Sequence, residues 1–197
     1  MKTDKRLIGL TGGIATGKTT VANYLTKKYR LPILDADVYA KEAVDRGSPI
    51  LQNIFARYGD KVIGNNGLNR SALGEIIFND PQEKQWLESQ IHPYVRDRFQ
   101  QELQRATSDT IILDIPLLFE ANLTDTVTEI WVVNCDRSIQ LNRLQQRNNL
   151  TLTQAEARID SQLPLAEKVA AADVVLNNNR ELDYLFTQID SAIKLNV

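Results

Sequence analysis

The chain has 197 residues, 43% of them hydrophobic, with 23 Lys and Arg against 25 Asp and Glu. That length suits one compact domain with a sizeable core and room for an inserted subdomain. A formal net charge of −2 excludes general affinity for nucleic acid or membrane surfaces, which normally needs a basic face or tail, so any basic site is local.

Met1 to Arg6 is charged, and the apolar run that follows stops at a glycine-rich turn. It is too short for a signal peptide or a spanning helix, and a cytoplasmic protein is expected. Arg6 to Leu10 reads as a first strand. Gly12, Gly13, Ile14, Ala15, Thr16, Gly17, Lys18 and Thr19 then fit G-x-x-x-x-G-K-[ST], and Thr20 to Tyr29 reads as helix. A strand before and a helix after are the context that a P-loop requires. Its glycines let backbone N–H groups converge on phosphate oxygens, and the helix that opens at Lys18 points the positive end of its dipole at the same anion. Lys18 reaches the outer phosphates and the Thr19 hydroxyl ligates Mg²⁺. Residues 12–20, with Thr20 the last, are the expected contacts to the phosphates of a nucleotide.

Pro32 to Leu34 is a second strand, so Asp35 and Asp37 fall at its carboxyl end, where open α/β sheets bind ligands. Two residues apart on an extended segment, both carboxylates face one way. One would orient an acceptor hydroxyl and take its proton, while the other helps hold Mg²⁺ or the loop; the alternative is a helix cap before Val38 to Val44.

Between Asp37 and Thr110 the β/α alternation lapses into consecutive helices, with a brief extended piece near Lys61, Val62 and Ile63. Ser48-Pro49 opens one helix that Gly59 closes, Asn65-Asn66-Gly67 signals a turn, and Asp80-Pro81 starts another helix. His92, the only histidine, precedes Pro93; the proline predicts an extended or turn conformation at His92, a helix-ending residue. An insertion of this size is expected to bind substrate.

The run Ile111 to Pro116 ends a third strand, begun at Thr110, in Asp114, as a Walker B strand ends; that acid would hold Mg²⁺ or contact the acceptor. Pro116, Leu117 and Leu118, followed by Phe119 and Glu120, are expected to expose apolar side chains as a wall of the acceptor pocket. Ile130 to Asn134 and Asp173 to Leu176 are the remaining strands, apolar and without alternation, as in a parallel sheet covered on both faces. Cys135, the only cysteine, ends one of them and reads as core.

Arg137, Arg143, Arg147 and Arg158 stand against a single acid, Glu156, between 137 and 158. Arg143 and Arg147 share a helical face. Thr153-x-x-Glu156 has the capping-box pattern, with Arg158 and Gln162 on one face of the helix it begins. Two helices joined by Asn148, Asn149 and Leu150 and carrying arginines describe a lid that closes over a transferring phosphoryl group. Leu182, Leu185, Phe186, Ile189 and Ile193 give a carboxy-terminal amphipathic helix.

With these residues in place, the chain resembles the dephospho-coenzyme A kinase family. The resemblance runs through Leu10 to Ile14, Asp35-Ala36-Asp37, Leu68-x-Arg70, Ile77-Phe78, Leu87-Glu88, Ile91-His92-Pro93, Asp114 to Glu120, Arg143-Leu144-x-x-Arg147, Arg158 to Gln162, Lys168, and Ala172 to Asn177. It implies transfer of phosphate from ATP to the ribose 3′-hydroxyl of dephospho-CoA, and an α/β fold of three layers: a five-stranded parallel sheet of the P-loop NTPase type with a helical acceptor-binding insertion and a helical lid. The implied division is a core of residues 1–37, 108–136 and 165–197, a CoA-binding subdomain of 38–107 and a lid of 137–164. The implied catalytic residues are Lys18, Asp37 as base, and Arg147; Arg143 and Asn177 join the ATP site; and Arg70 and His92 join Asp35, Asp37, Asp114 and Pro116 to Leu118 around the acceptor. The implied partners are the small molecules ATP and dephospho-CoA, with Mg²⁺, and neither nucleic acid nor membrane. Ala15-Thr16 departs from the family's usual Gly-Ser, and Thr19 from its usual Ser. A kinase for another small acceptor, such as a nucleoside monophosphate, is the alternative, since Arg46, Arg57, Arg70, Arg96 and Arg98 would suit an acceptor phosphate. A GTPase-like switch is disfavoured by the lack of Asn-Lys-x-Asp.

Overall fold

The structure, a computed structural model, describes residues 5–64 and 67–194. The turn residues Asn65 and Asn66 and the first four residues of the charged amino end lie outside the described residues. In chain order, β1 (Arg6–Gly12) leads through a loop into α1 (Lys18–Tyr29), then β2 (Ile33–Asp35) and, without a break, α2 (Ala36–Glu42). Next come α3 (Pro49–Tyr58), a short 3-10 turn, β3 (Ile63–Gly64), β4 (Gly67–Leu68), α4 (Arg70–Asn79) and α5 (Pro81–Arg105). The described chain continues through β5 (Thr110–Asp114), β6 (Glu129–Asn134), α6 (Arg137–Asn148), α7 (Leu152–Asp160), α8 (Leu165–Ala170), β7 (Val174–Asn177) and α9 (Leu182–Lys194). Two compact units result: one runs up to Asp35 and resumes at Thr107, and the other is Ala36–Ala106.

The first unit holds a five-stranded parallel sheet in the order β2-β5-β1-β6-β7, as the sequence predicts. Ile8, Leu10, Ile111, Ile112, Leu113, Trp131, Val132 and Val133 are wholly buried, which is why these strands read as continuous apolar runs rather than alternating ones. Helix α9 seals one face with Leu185, Ile189 and Ile193; Leu182, predicted in the same stripe, is half exposed because it is the first residue of the helix. Phe186 stacks on Tyr24 of α1 with ring centroids 4.1 Å apart. Arg6 ties β1 to the end of α9, donating to the Ile193 carbonyl at 2.9 Å and to Glu129 at 2.8 Å. It thereby supplies a cation where the helix presents unpaired carbonyls.

The second unit packs α3, α4 and α5 around Val44, Ile54, Val62, Leu73 and Leu87. Its helices start as the local signals require: Ser48 accepts from Leu51 N–H at 3.0 Å, and Asp80 accepts from Gln82 N–H at 2.8 Å with Pro81 just inside. Gly59 closes α3 at φ +60°. The expectation at His92-Pro93 fails, because α5 runs 25 residues straight through Pro93. Proline leaves only the Ser89 carbonyl without its helical partner, and burial of Leu87, Val95 and Phe99 along one face of the helix outweighs that loss.

Glu83 joins α5 to α3 within this unit. It accepts from Arg57 at 2.6 and 2.8 Å and from the Tyr58 hydroxyl at 2.6 Å, and the guanidinium lies 4.6 Å from the Trp86 ring centre. The Arg57 and Tyr58 hydrogen bonds hold the Glu83 carboxyl down to about 2, from an ordinary 4.5. A depressed folded-state pKa stabilises the fold above the unfolded value and ceases to do so as pH falls toward the folded one. The wild type is therefore expected to lose its stability margin over Glu83→Gln between about pH 4.5 and pH 2, and paired thermal melts at pH 7 and pH 3 check it. A margin that does not shrink at pH 3 contradicts the linkage.

Candidate active site

β1 ends at Gly12 and α1 begins at Lys18, so the loop between them stands at the carboxyl edge of the central strand. Gly17 has φ +102°, and a β-carbon there would meet Asn178 Nδ2 at 2.2 Å, so both backbone and packing require glycine. A β-carbon on Gly13 would come within 2.6 Å of Gln140 Nε2. Ala15 adopts the left-handed conformation at φ +63° and carries a cost of about 1 kcal/mol for its methyl group.

The loop is held from outside. Gly13 C=O accepts from Thr16 N–H at 3.2 Å and Thr16 Oγ1 at 2.9 Å, Ile14 C=O from Gln140 Nε2 at 2.9 Å, and Thr16 C=O from Asn178 Nδ2 at 2.7 Å. Arg143 spans Thr16 C=O at 3.3 Å and Asn178 C=O at 3.2 Å. Ile14 N–H donates to Gln162 Oε1 at 2.8 Å. The amides of Ala15 and Gly17 have no hydrogen-bond partner among the described residues, and the first-turn amides of α1 are unpaired by helix geometry. This is a cradle of donors for an anion.

Two acids lie at the same edge. Asp35 of β2 pairs in register with Asp114 of β5, which pairs with Leu10 of β1. Asp114 is 6% exposed and accepts an ion-paired hydrogen bond from Lys18 Nζ. Thr19, on the first turn of α1, is exposed. Among the described residues no three His, Cys, Asp or Glu side chains cluster to hold a metal. One carboxylate and one exposed hydroxyl nevertheless fit Mg²⁺, which keeps several waters and takes its other ligands from substrate phosphates.

Several expectations change. Asp37 does not extend β2, because α2 starts at Ala36 and puts Asp37 in its first turn; the same-face argument for Asp35 and Asp37 therefore fails, and Asp37 is an exposed acid at a helix amino end. Leu118 is fully buried and packs over Gly9 of β1, so it is core rather than an exposed wall; Leu117 is the exposed member, with Pro116 between the two extremes. Glu120 and the wholly buried Lys168 ammonium lie 2.7 Å apart, and Glu120 accepts from Leu163 N–H at 3.0 Å, which gives the end of that motif a structural task. α7 begins at Leu152, with Thr151 and Gln154 forming the capping box, not Thr153 and Glu156. Gln162 lies past the helix end and reaches the loop.

Asn177 pairs its backbone with the Gln188 side chain at 2.9 Å and accepts from Asn179 N–H at 3.1 Å; its neighbour Asn178 is the one that contacts the P-loop. Sequence reasoning passed over Gln140 and Asn178, and the run Asn177 to Asn179 just past a strand's carboxyl end was the one available signal. Arg147 is exposed, with Nε donating to Asn148 Oδ1 at 2.9 Å. Cys135 is buried, and burial pushes its thiol pKa up, as befits a core residue.

In the second unit, Arg70 opens α4 and donates to the Lys41 carbonyl at 3.4 Å. His92 lies in mid-α5, where partial burial lowers its pKa and favours the neutral ring at pH 7. Arg57 is committed to Glu83, and Arg98 to Glu42 and Glu102 at 3.1 Å each.

The family model for dephospho-CoA kinase matches residues 6–183. A dephospho-CoA kinase of Trichormus variabilis is 59% identical over 190 residues, covering 96% of this chain and 97% of the relative. Among solved structures, a Thermus thermophilus protein superposes with a TM-score of 0.84 at 31% identity, and dephospho-CoA kinase from Campylobacter jejuni with 0.71 at 27%, each pair covering 96% of both chains.

Proposed function

The chain belongs to the dephospho-CoA kinase family and transfers phosphate from ATP to the ribose 3′-hydroxyl of dephospho-CoA, the last step of coenzyme A biosynthesis, and we propose which residues carry that reaction. Residues 12–20 cradle the ATP phosphates, and Lys18 exchanges its partner Asp114 for phosphate oxygens when nucleotide arrives. Thr19 and Asp114 hold Mg²⁺. When bound, that ion would neutralise charge on the outer phosphates. Asp37 accepts the proton of the acceptor hydroxyl, with Arg70 and His92 in the same unit binding the acceptor. The reaction takes place in the cytoplasm, between small-molecule partners alone.

The observation that carries this reading is the pairing of Lys18 with Asp114 at the mouth of a loop whose Ala15 and Gly17 amides are unpaired among the described residues. Separate calorimetric titrations with dephospho-CoA, AMP and adenosine test the acceptor. Tight binding of dephospho-CoA alone supports the assignment, and tight binding of AMP returns the nucleoside monophosphate reading. That reading needs free arginines in the acceptor unit, and Arg57 and Arg98 are already engaged by carboxylates.

The two lid arginines separate by their contacts. Arg143 braces the loop through two carbonyls, whereas Arg147 is exposed and donates to its neighbour Asn148. Arg143→Lys keeps the charge but loses the fork and is expected to raise the ATP KM, while Arg147→Lys is expected to lower kcat, because binding made only in the transition state appears there. Measuring both constants for both variants decides it, and the swapped pattern reverses the roles.

A further inference from the structure

We infer that Gln140 and Asn178 are positioning residues that aim the P-loop amides at the ATP phosphates by pinning the carbonyls of the same peptide groups. In a trans peptide, the C=O of one residue and the N–H of the next point in opposite directions, and no described peptide here is cis. Gln140 Nε2 on Ile14 C=O at 2.9 Å therefore turns Ala15 N–H the other way, and Asn178 Nδ2 on Thr16 C=O at 2.7 Å does the same for Gly17 N–H. Both amides lack a partner among the described residues, as do those of Lys18 and Thr19 that follow them at the start of α1. Both holders are rigidly placed: Gln140 and Asn178 are each 3% exposed, one on α6 and one just past β7.

A second observation singles out Asn178. Its Oδ1 is buried without a hydrogen-bond partner; the other such described side-chain atom, Lys168 Nζ, has the Glu120 carboxylate 2.7 Å away, whereas Asn178 Oδ1 has no such charge to face. An orphaned acceptor weakens the fold, yet the same amide group places the shorter of the two donors on Thr16 C=O, at 2.7 Å against 3.3 Å for Arg143, beside a glycine that admits no side chain. Stability is given up where the loop's geometry is set, as at other strained functional positions. The loop's glycines remove steric barriers, and the two side-chain amides choose among the conformations that remain.

The inference rests on the loop being the phosphate site of ATP. Gln140→Met removes the donor at nearly constant volume, and Asn178→Ala removes both donor and orphan. Each variant, with wild type and Lys18→Met, is titrated with ADP and, in competition, with adenosine, and is melted without ligand. A misdirected amide forfeits a hydrogen bond to a charged oxygen, so ADP affinity should fall by about tenfold or more. Adenosine affinity should change less than about twofold, and the Gln140→Met melting temperature should stay within a few degrees of wild type. Wild-type ADP affinity in Gln140→Met overturns the proposal, as does a parallel loss of ADP and adenosine binding, which marks a general structural role. If Asn178→Ala does not fold, Gln140→Met alone decides. If Lys18→Met also binds ADP normally, the phosphate-site reading itself fails; if Lys18→Met loses ADP and Gln140→Met does not, only the aiming role does.

Discussion

Lys18→Met is expected to reduce kcat by at least about 10²-fold, the range found when a single preorganised charge or donor is withdrawn from a developing anion. Its effect on the fold is not nil. Lys18 is 17% exposed at the side chain and pairs with Asp114, itself 9% exposed there. Removing the ammonium leaves a largely buried carboxylate short of its cation, a loss of about 1–3 kcal/mol. Lost turnover in the single variant therefore mixes chemistry with stability. The double variant Lys18→Met with Asp114→Asn isolates the stability part, since a neutral amide replaces the charge that has lost its ammonium; its turnover decides nothing, because Asp114 is itself assigned to Mg²⁺. The expected outcome is a melting temperature closer to wild type in the double variant than in the single one, while the single variant, assayed well below its own melting temperature, still lacks turnover. Wild-type turnover in Lys18→Met below its melting temperature would mean that Lys18 acts only through the fold and has no role at the phosphates.

What could be read from the sequence was written locally. The P-loop is a contiguous pattern whose mechanism resides in its own backbone, the strands announce themselves by apolar runs, and Ser48-Pro49 and Asp80-Pro81 place helix starts by chemistry confined to three or four residues. Misreadings arose where a distant contact outvoted a local preference. Pro93 argues for a break, but α5 is long enough, and buried enough at Leu87, Val95 and Phe99, to run through it. Leu118 sits in a motif that looks exposed and instead, from the turn after β5, packs into the space left by Gly9 of β1. The loop's braces were hardest to see. Gln140 and Asn178 reach residues 126 and 162 positions away. Neutral amides carry no signature for such a task, because their meaning depends on which carbonyl the fold brings within 3 Å.

Asp37→Asn is expected to lower kcat while changing dephospho-CoA affinity little. Withdrawing a general base reduces the rate by roughly 10²–10⁴-fold, and the loose transition state of phosphoryl transfer, which depends little on early proton removal, favours the lower end. Asp37 lies in the first turn of α2, immediately after the sheet edge, and is exposed. At the amino end of α2 its carboxylate faces the positive end of the helix dipole. Asparagine retains a carbonyl that accepts a hydrogen bond from the acceptor hydroxyl, so ground-state binding survives, but the amide neither takes the proton nor supplies negative charge. The same substitution removes a favourable helix-end charge, worth about 0.3–1 kcal/mol at an exposed position, too little to unfold the unit and so too little to mimic a catalytic defect. Steady-state constants and a calorimetric dephospho-CoA titration on one preparation make the distinction. A raised KM with kcat unchanged would move Asp37 from proton acceptor to acceptor binding, with the 3′-hydroxyl proton passing to water or a phosphate oxygen as the new O–P bond forms and the bond to ADP breaks.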